Sequence, residues 1–183
     1  TLTAFAPCWN LQAAEKTPFH FAHRGGAYEF EENTLFAFKS SYNAGVRGYE
    51  LDVRMTKDGE LVVLHDDSLD RTHQGNGAVE HLTADEARKI TSKKQNEPLL
   101  FLDTLLAYLK DKPGMYVEFE MKTSNKALYP DSRIAEYAEK LYQKVTAFIP
   151  QGSTYILTSF DPRPLNAVKK IDAQADIMLI KGG

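Results

Sequence analysis

The chain has 183 residues, 43% hydrophobic and 26% charged, which fits one ordinary globular domain with a core of its own. Its 22 Lys and Arg against 25 Asp and Glu leave a net charge of −3 and no electrostatic case for a nucleic-acid partner. The single cysteine, Cys8, excludes an intramolecular disulfide framework and a cysteine-based zinc cluster, and no apolar run reaches the length of a bilayer span.

The first residues, TLTAFAPCWNLQAAEK, are apolar and then small. They read either as the tail of a secretory signal without its charged leader or as an ordinary lead-in, so residues 1–18 stand apart from a domain at 19–183. The first reading places the protein outside the cytoplasm and the second inside it. FHFAH then predicts a short strand ending at the glycine turn of HRGG. NTLFAFKSSYNAG carries helical spacing, with Leu35, Phe38 and Tyr42 on one face, Asn33 or Thr34 as cap and Gly45 at the end. VRGYELDVRMT and ELVVLHDD read as strands joined by a tight KDG turn. RTHQGNG predicts a flexible loop.

Further on, Thr83 and Glu86 have capping-box spacing for a short helix. LLFLDTLLAYLKD is a second helical run and GMYVEFEMKT a strand. DSRIAEYAEKLYQKVTAFI predicts the longest helix, with Ile134, Ala138, Leu141, Val145 and Phe148 along one side. TYILTSF and ADIMLI are strands separated by the helical RPLNAVKKI. Six strands alternating with helices argue for parallel βα units, as an open doubly wound sheet or as a (β/α)8 TIM barrel. Polar groups near the ends of several different strands favour the barrel. Six strands fall short of eight, so the barrel is expected to be incomplete at its C-terminal end, lacking its last strands.

Glu50 and Asp52 lie two apart on one strand and share a face; so do Glu118, Glu120 and Lys122. Carboxylates turned inward repel each other unless a cation lies between them. With no cysteine or paired-histidine spacing to help, Glu50, Asp52 and Glu120 point to a hard divalent ion, Ca²⁺ or Mg²⁺. The alternative is a solvated edge strand whose acids pair with Arg47 and Arg54. His23 and His65 each end an apolar strand and can divide proton transfer between them. Arg24 offers a planar fork for phosphate oxygens, or a surface ion pair with Glu29, Glu31 or Glu32. Lys122 is a phosphate contact or a plain salt-bridge partner, and Asn33 a ligand contact or a helix cap. Tyr28 and Phe30 either line a pocket for the leaving group or pack on a helix. His20, His73 and His81 receive no role. No nucleophile elbow and no Walker loop is present. The remaining set suits attack at a phosphate ester.

HRGG with EENT, then YELDVRMTKDGELVVLHDDSLDRT, EFEMK and TSF, in this order, resemble the glycerophosphodiester phosphodiesterase family from about Phe19 onward. The resemblance implies a metal-dependent barrel hydrolase that cleaves small glycerophosphodiesters to an alcohol and glycerol 3-phosphate. It implies His23 and His65 as the acid/base pair, Glu50, Asp52 and Glu120 as metal ligands, and Arg24 and Lys122 as phosphate contacts. Glu32 and Asn33 match the family's Glu-Asn pair on the substrate side. Glu31 stands where the family usually has proline, which is expected to alter loop stiffness and not chemistry. Alternative readings are a phosphodiesterase for lysophospholipids or another phosphodiester, and a non-catalytic phosphodiester-binding barrel. Nothing in the sequence fixes an oligomeric state.

Overall fold

The computed structural model describes residues 20–182. The lead-in assigned to residues 1–18 lies outside the described residues, as does Phe19. Apolar and β-branched residues form six strands, β1 (Phe21–His23), β2 (Gly48–Met55), β3 (Leu61–Val63), β4 (Tyr116–Met121), β5 (Thr154–Ser159) and β6 (Ile177–Leu179). Five helices lie between them, α1 (Leu35–Asn43), α2 (Ala84–Ala87), α3 (Leu102–Leu109), α4 (Asp131–Thr146) and α5 (Pro162–Ile171). The sheet runs β1-β2-β4-β5-β6 with every pair parallel, and β3 folds back antiparallel on the end of β2. A doubly wound sheet reverses its strand order at a switch point. The unreversed order here is that of consecutive staves of a βα barrel.

Local chemistry accounts for the element ends. The Thr34 side chain, not that of Asn33, accepts from the Ala37 N–H and starts α1. Gly45 follows its end at φ +94°, a conformation that suits glycine. The capping box predicted at Thr83 and Glu86 is present on α2. Gly59, at φ +95°, closes the KDG turn between β2 and β3 by donating to the Thr56 carbonyl.

The parallel register decides which side chains meet. Leu51 is opposite Phe119, and Phe119 opposite Leu157, on the apolar face of the sheet. There they join Phe38 of α1, Leu105 of α3, Tyr137 and Leu141 of α4 and Val168 of α5 in one core. A smaller cluster, including Val62, Leu69, Val79 and Phe101, fills the excursion between β3 and α3. The alternate positions carry the polar groups: His23 opposite Glu50, Glu50 opposite Glu118, and Asp52 opposite Glu120.

Several sequence expectations are corrected. Strand β2 lies between β1 and β4, so its acids are not on a solvated edge. Arg47 donates to the backbone carbonyls of Tyr42 and Val46 and leaves those acids alone. His73 is not in a flexible loop: it is buried, faces Ser92 across a bridge, and its Nδ1 lies 2.8 Å from the Thr72 hydroxyl. Phe148 lies beyond the end of α4 and is exposed, while Tyr137 takes a place on the helix's buried side. Leu99 and Leu100 precede α3, and Leu100 accepts the Val63 N–H instead of beginning the helix.

Candidate active site

Strand ends bring the carboxylates together. Glu50 and Asp52 come from β2 and Glu120 from β4; all three are buried, with one oxygen of each lying within 4.8 Å of the others. Burial and the adjacent Asp52 carboxylate push the Glu50 carboxyl up to about 8. Two cations from the same end of the sheet face the cluster. Lys122 Nζ lies 2.8 Å from Glu120 Oε1 and 3.5 Å from Asp52 Oδ1, and Arg24 Nε lies 3.7 Å from Asp52 Oδ2. The Arg24 backbone N–H donates to Glu50 Oε2 at 3.1 Å. Arg24 and Asn33 both sit at positive φ, +52° and +56°, which is uncommon for side-chain-bearing residues and aims the first loop at the cluster. Asn33 uses that geometry to donate to Asp52 Oδ2 at 2.9 Å, so it is a site contact and not the helix cap.

Glu50 Oε1 and Asp52 Oδ1 are buried without a hydrogen-bond partner. Buried carboxyl oxygens without a hydrogen bond are costly in a protein interior. Together with a third carboxylate and no sulfur or imidazole donor in the group, they fit a hard divalent cation.

The histidines flank this cluster. His23 Nε2 lies 3.6 Å from Glu50 Oε2. Burial first, then Arg24 and His65, lower its imidazole below the ordinary value against the opposing pull of Asp52. His65 follows β3 where the Leu64 N–H donates to the Asp52 carbonyl. It shares with Glu120, Lys122, Asp67, Asn125 and Phe160 the lining of a cavity of about 430 Å³. Glu32 stands one step back, accepting from Arg24 Nη1 at 3.0 Å. Of the residues given candidate roles in the sequence, His23, Arg24, Glu32, Asn33, Glu50, Asp52, Glu120 and Lys122 are linked by these contacts, and His65 lines the cavity it shares with Glu120 and Lys122.

The supporting roles of Asp66, Arg54 and Glu31 were not read from the sequence. Asp66 lies 2.6 Å from His65 Nδ1, and its only sequence signal is the acidic pair that follows that histidine. Arg54 is almost fully buried; its guanidinium donates to the His65 carbonyl, to Glu80 Oε1 at 3.0 Å and to Asp67. Glu31 is more than a stiffness change: its carboxylate accepts the Lys94 and Gln95 backbone N–H groups at 3.1 and 2.9 Å, tying the first loop to the excursion. Tyr28 is exposed, and Phe30 packs edge-on against Phe36 of α1. Removing Arg54 strands the buried Glu80 carboxylate. Arg54→Met is expected to cost about 3–5 kcal/mol in urea denaturation, and a loss below about 1 kcal/mol would contradict this account of the pair.

The family model described as the glycerophosphoryl diester phosphodiesterase family matches residues 23–182. A curated glycerophosphodiester phosphodiesterase from Caldanaerobacter subterraneus is 35% identical over 165 residues, covering 87% of this chain and 65% of the relative. One from Bacillus altitudinis is 45% identical over 110 residues, covering 57% of this chain and 45% of its own length. A putative glycerophosphoryl diester phosphodiesterase from Silicibacter pomeroyi superposes with a TM-score of 0.78 at 22% identity, covering 88% of this chain and 63% of its own. An Oleispira antarctica phosphodiesterase, solved with the product sn-glycerol-3-phosphate, gives 0.73 at 24% identity, with 88% of this chain and 64% of its own covered. The structural likenesses support the barrel fold. The chain spans less than two thirds of the length of each of these proteins.

Proposed function

The chain belongs to the glycerophosphoryl diester phosphodiesterase family, and we propose on that premise that it hydrolyses glycerophosphodiesters to an alcohol and glycerol 3-phosphate with a divalent cation at Glu50, Asp52 and Glu120. The observation that carries this reading is the buried three-carboxylate cluster with orphaned oxygens, flanked by His23 and by the cavity that His65 lines. When bound, a Ca²⁺ or Mg²⁺ ion supplies Lewis acidity toward a phosphoryl oxygen.

The chain's own groups do the rest. Arg24 and Lys122 bring positive charge to the rim of the cluster, where charge grows on the phosphoryl oxygens as the ester breaks. Asn33 holds Asp52 in place from the first loop. One imidazole of the pair His23 and His65 accepts the proton of the attacking hydroxyl or water; the other delivers a proton to the departing alcohol. Glu32 orients Arg24 for its phosphate contact. Among the described residues no helix is long and apolar enough to cross a membrane.

Hydrolysis of glycerophosphocholine, followed by release of glycerol 3-phosphate, tests this directly. Activity is expected to fall to background in EDTA and to return with Ca²⁺ or Mg²⁺. Undiminished turnover in chelator would remove the metal from the reading, and no turnover with any of a panel of glycerophosphodiesters would remove the reaction.

A further inference from the structure

We infer that Arg71 is a positioning residue that fixes which ring nitrogen of His65 faces the phosphodiester, by holding Asp66 against Nδ1 while the same guanidinium grips Glu32. The inference rests on the functional reading above for its view of His65 as a proton-transfer group. Its geometric part stands separately.

Arg71 closes a single 3-10 turn, Leu69–Arg71, begun by Ser68, whose hydroxyl accepts the Asp70 N–H. That turn brings the guanidinium back over the chain five residues earlier. Its Nε and Nη2 reach the two oxygens of Asp66 at 2.5 and 3.0 Å. Its Nη1 and Nη2 reach the two oxygens of Glu32 at 2.7 Å each. Two carboxylates from distant parts of the chain are thus held together by one guanidinium, a set of paired contacts a lysine cannot supply. These contacts use four of the guanidinium's five N–H donors.

The consequence falls on His65. Arg71 first, and His65 after it, hold the Asp66 carboxyl well below the usual carboxylate range. An ionised carboxylate only accepts hydrogen bonds. Asp66 Oδ1, 2.6 Å from His65 Nδ1, therefore selects the ring form with hydrogen on Nδ1 and leaves Nε2 as the working nitrogen. On its other side Arg71 passes through Glu32 to Arg24, and Arg24 to Asp52. A line of hydrogen-bonded and ion-paired groups thus runs from His65 to the carboxylate cluster.

The test uses the whole chain with ¹⁵N-labelled histidine, with His65 assigned through His65→Gln. In wild type, Nδ1 of neutral His65 is expected to resonate as a protonated nitrogen and Nε2 as an unprotonated one. In Arg71→Met the two are expected to move toward a mixture, and kcat to fall about 10–10²-fold, the lower part of the range for a general acid or base. KM is expected to rise as well, because Arg71 also holds Glu32, which orients Arg24, while divalent-ion affinity by calorimetry should change by less than about twofold, since Arg71 touches none of the three carboxylates of the cluster. Arg71→Lys should fall between. Because Arg71 is half exposed, the variant is expected to fold. Nitrogen shifts matching wild type would overturn the inference, whether or not melting temperature drops. So would a loss confined to KM with kcat unchanged, which would place the effect of Arg71 on Glu32 and Arg24 and not on His65. If wild type hydrolyses no glycerophosphodiester, the functional reading fails, and the nitrogen shifts still decide the role of Arg71.

Discussion

His65→Ala and His23→Ala are each expected to lower kcat by about 10²–10⁴-fold, the usual contribution of a positioned general acid or base. Both side chains stand outside the core, at 58% exposure for His23 and 31% for His65, so neither change opens a cavity. The nearest groups keep partners after truncation: Asp66 retains Arg71, and Glu50 retains the Arg24 backbone N–H. Melting temperature should therefore stay within a few degrees of wild type while turnover collapses. The pH profile separates this from a general loss of activity. With one imidazole acting as base and the other as acid, kcat/KM of wild type is bell-shaped, and each variant should lose one limb of the bell. Two variants that each keep more than a tenth of wild-type kcat would defeat the assignment of the pair. Two variants with the full bell intact would show that neither histidine moves the proton in the limiting step.

The constellation was legible in the sequence because strand periodicity is so simple. Glu50 and Asp52 must share a face once their segment is a strand, and the polar group at the end of each successive strand must reach the same rim once the strands are parallel and in order. What could not be read was the support, because it depends on long-range pairing. Arg54 also belongs to the strand, yet nothing local says that it meets Glu80, 26 residues on, instead of water. His73 sits among glycines and polar residues that resemble a loose loop; it is buried because Ser92 comes to lie opposite it. Asn33 beside Thr34 offered two candidates for one helix cap, and tertiary structure settled it by giving Asn33 a carboxylate to bind. Glu31 looked like a substitution in a loop, and its two backbone partners lie more than sixty residues away. Phe148 continued a helical stripe by spacing alone, but α4 had already ended.

The carboxylate cluster itself is expected to act against stability until a cation enters it. Glu50 is raised to about 8 by burial and by Asp52, against an ordinary value of 4.5. A carboxyl raised in the folded state holds a proton that the unfolded chain releases. Stability therefore falls as pH climbs from about 4.5 and reaches its lowest contribution above about 8. Glu50→Gln removes that charge while keeping the shape. In chelator the variant should melt higher than wild type at pH 8.5 and by no clear margin at pH 4.5, each kcal/mol appearing as about 2–4 °C for a chain of this size. Saturating Ca²⁺ or Mg²⁺ should reverse the order at pH 8.5, because the ion stabilises only the state that binds it and wild type has the full set of ligands. Turnover of Glu50→Gln should fall with its loss of ion affinity. If the variant gains as many degrees from the cation as wild type does, the ion binds elsewhere. If wild type in chelator melts no lower at pH 8.5 than at pH 6, the three buried carboxylates are not in conflict, and the physical reason for placing an ion among them disappears.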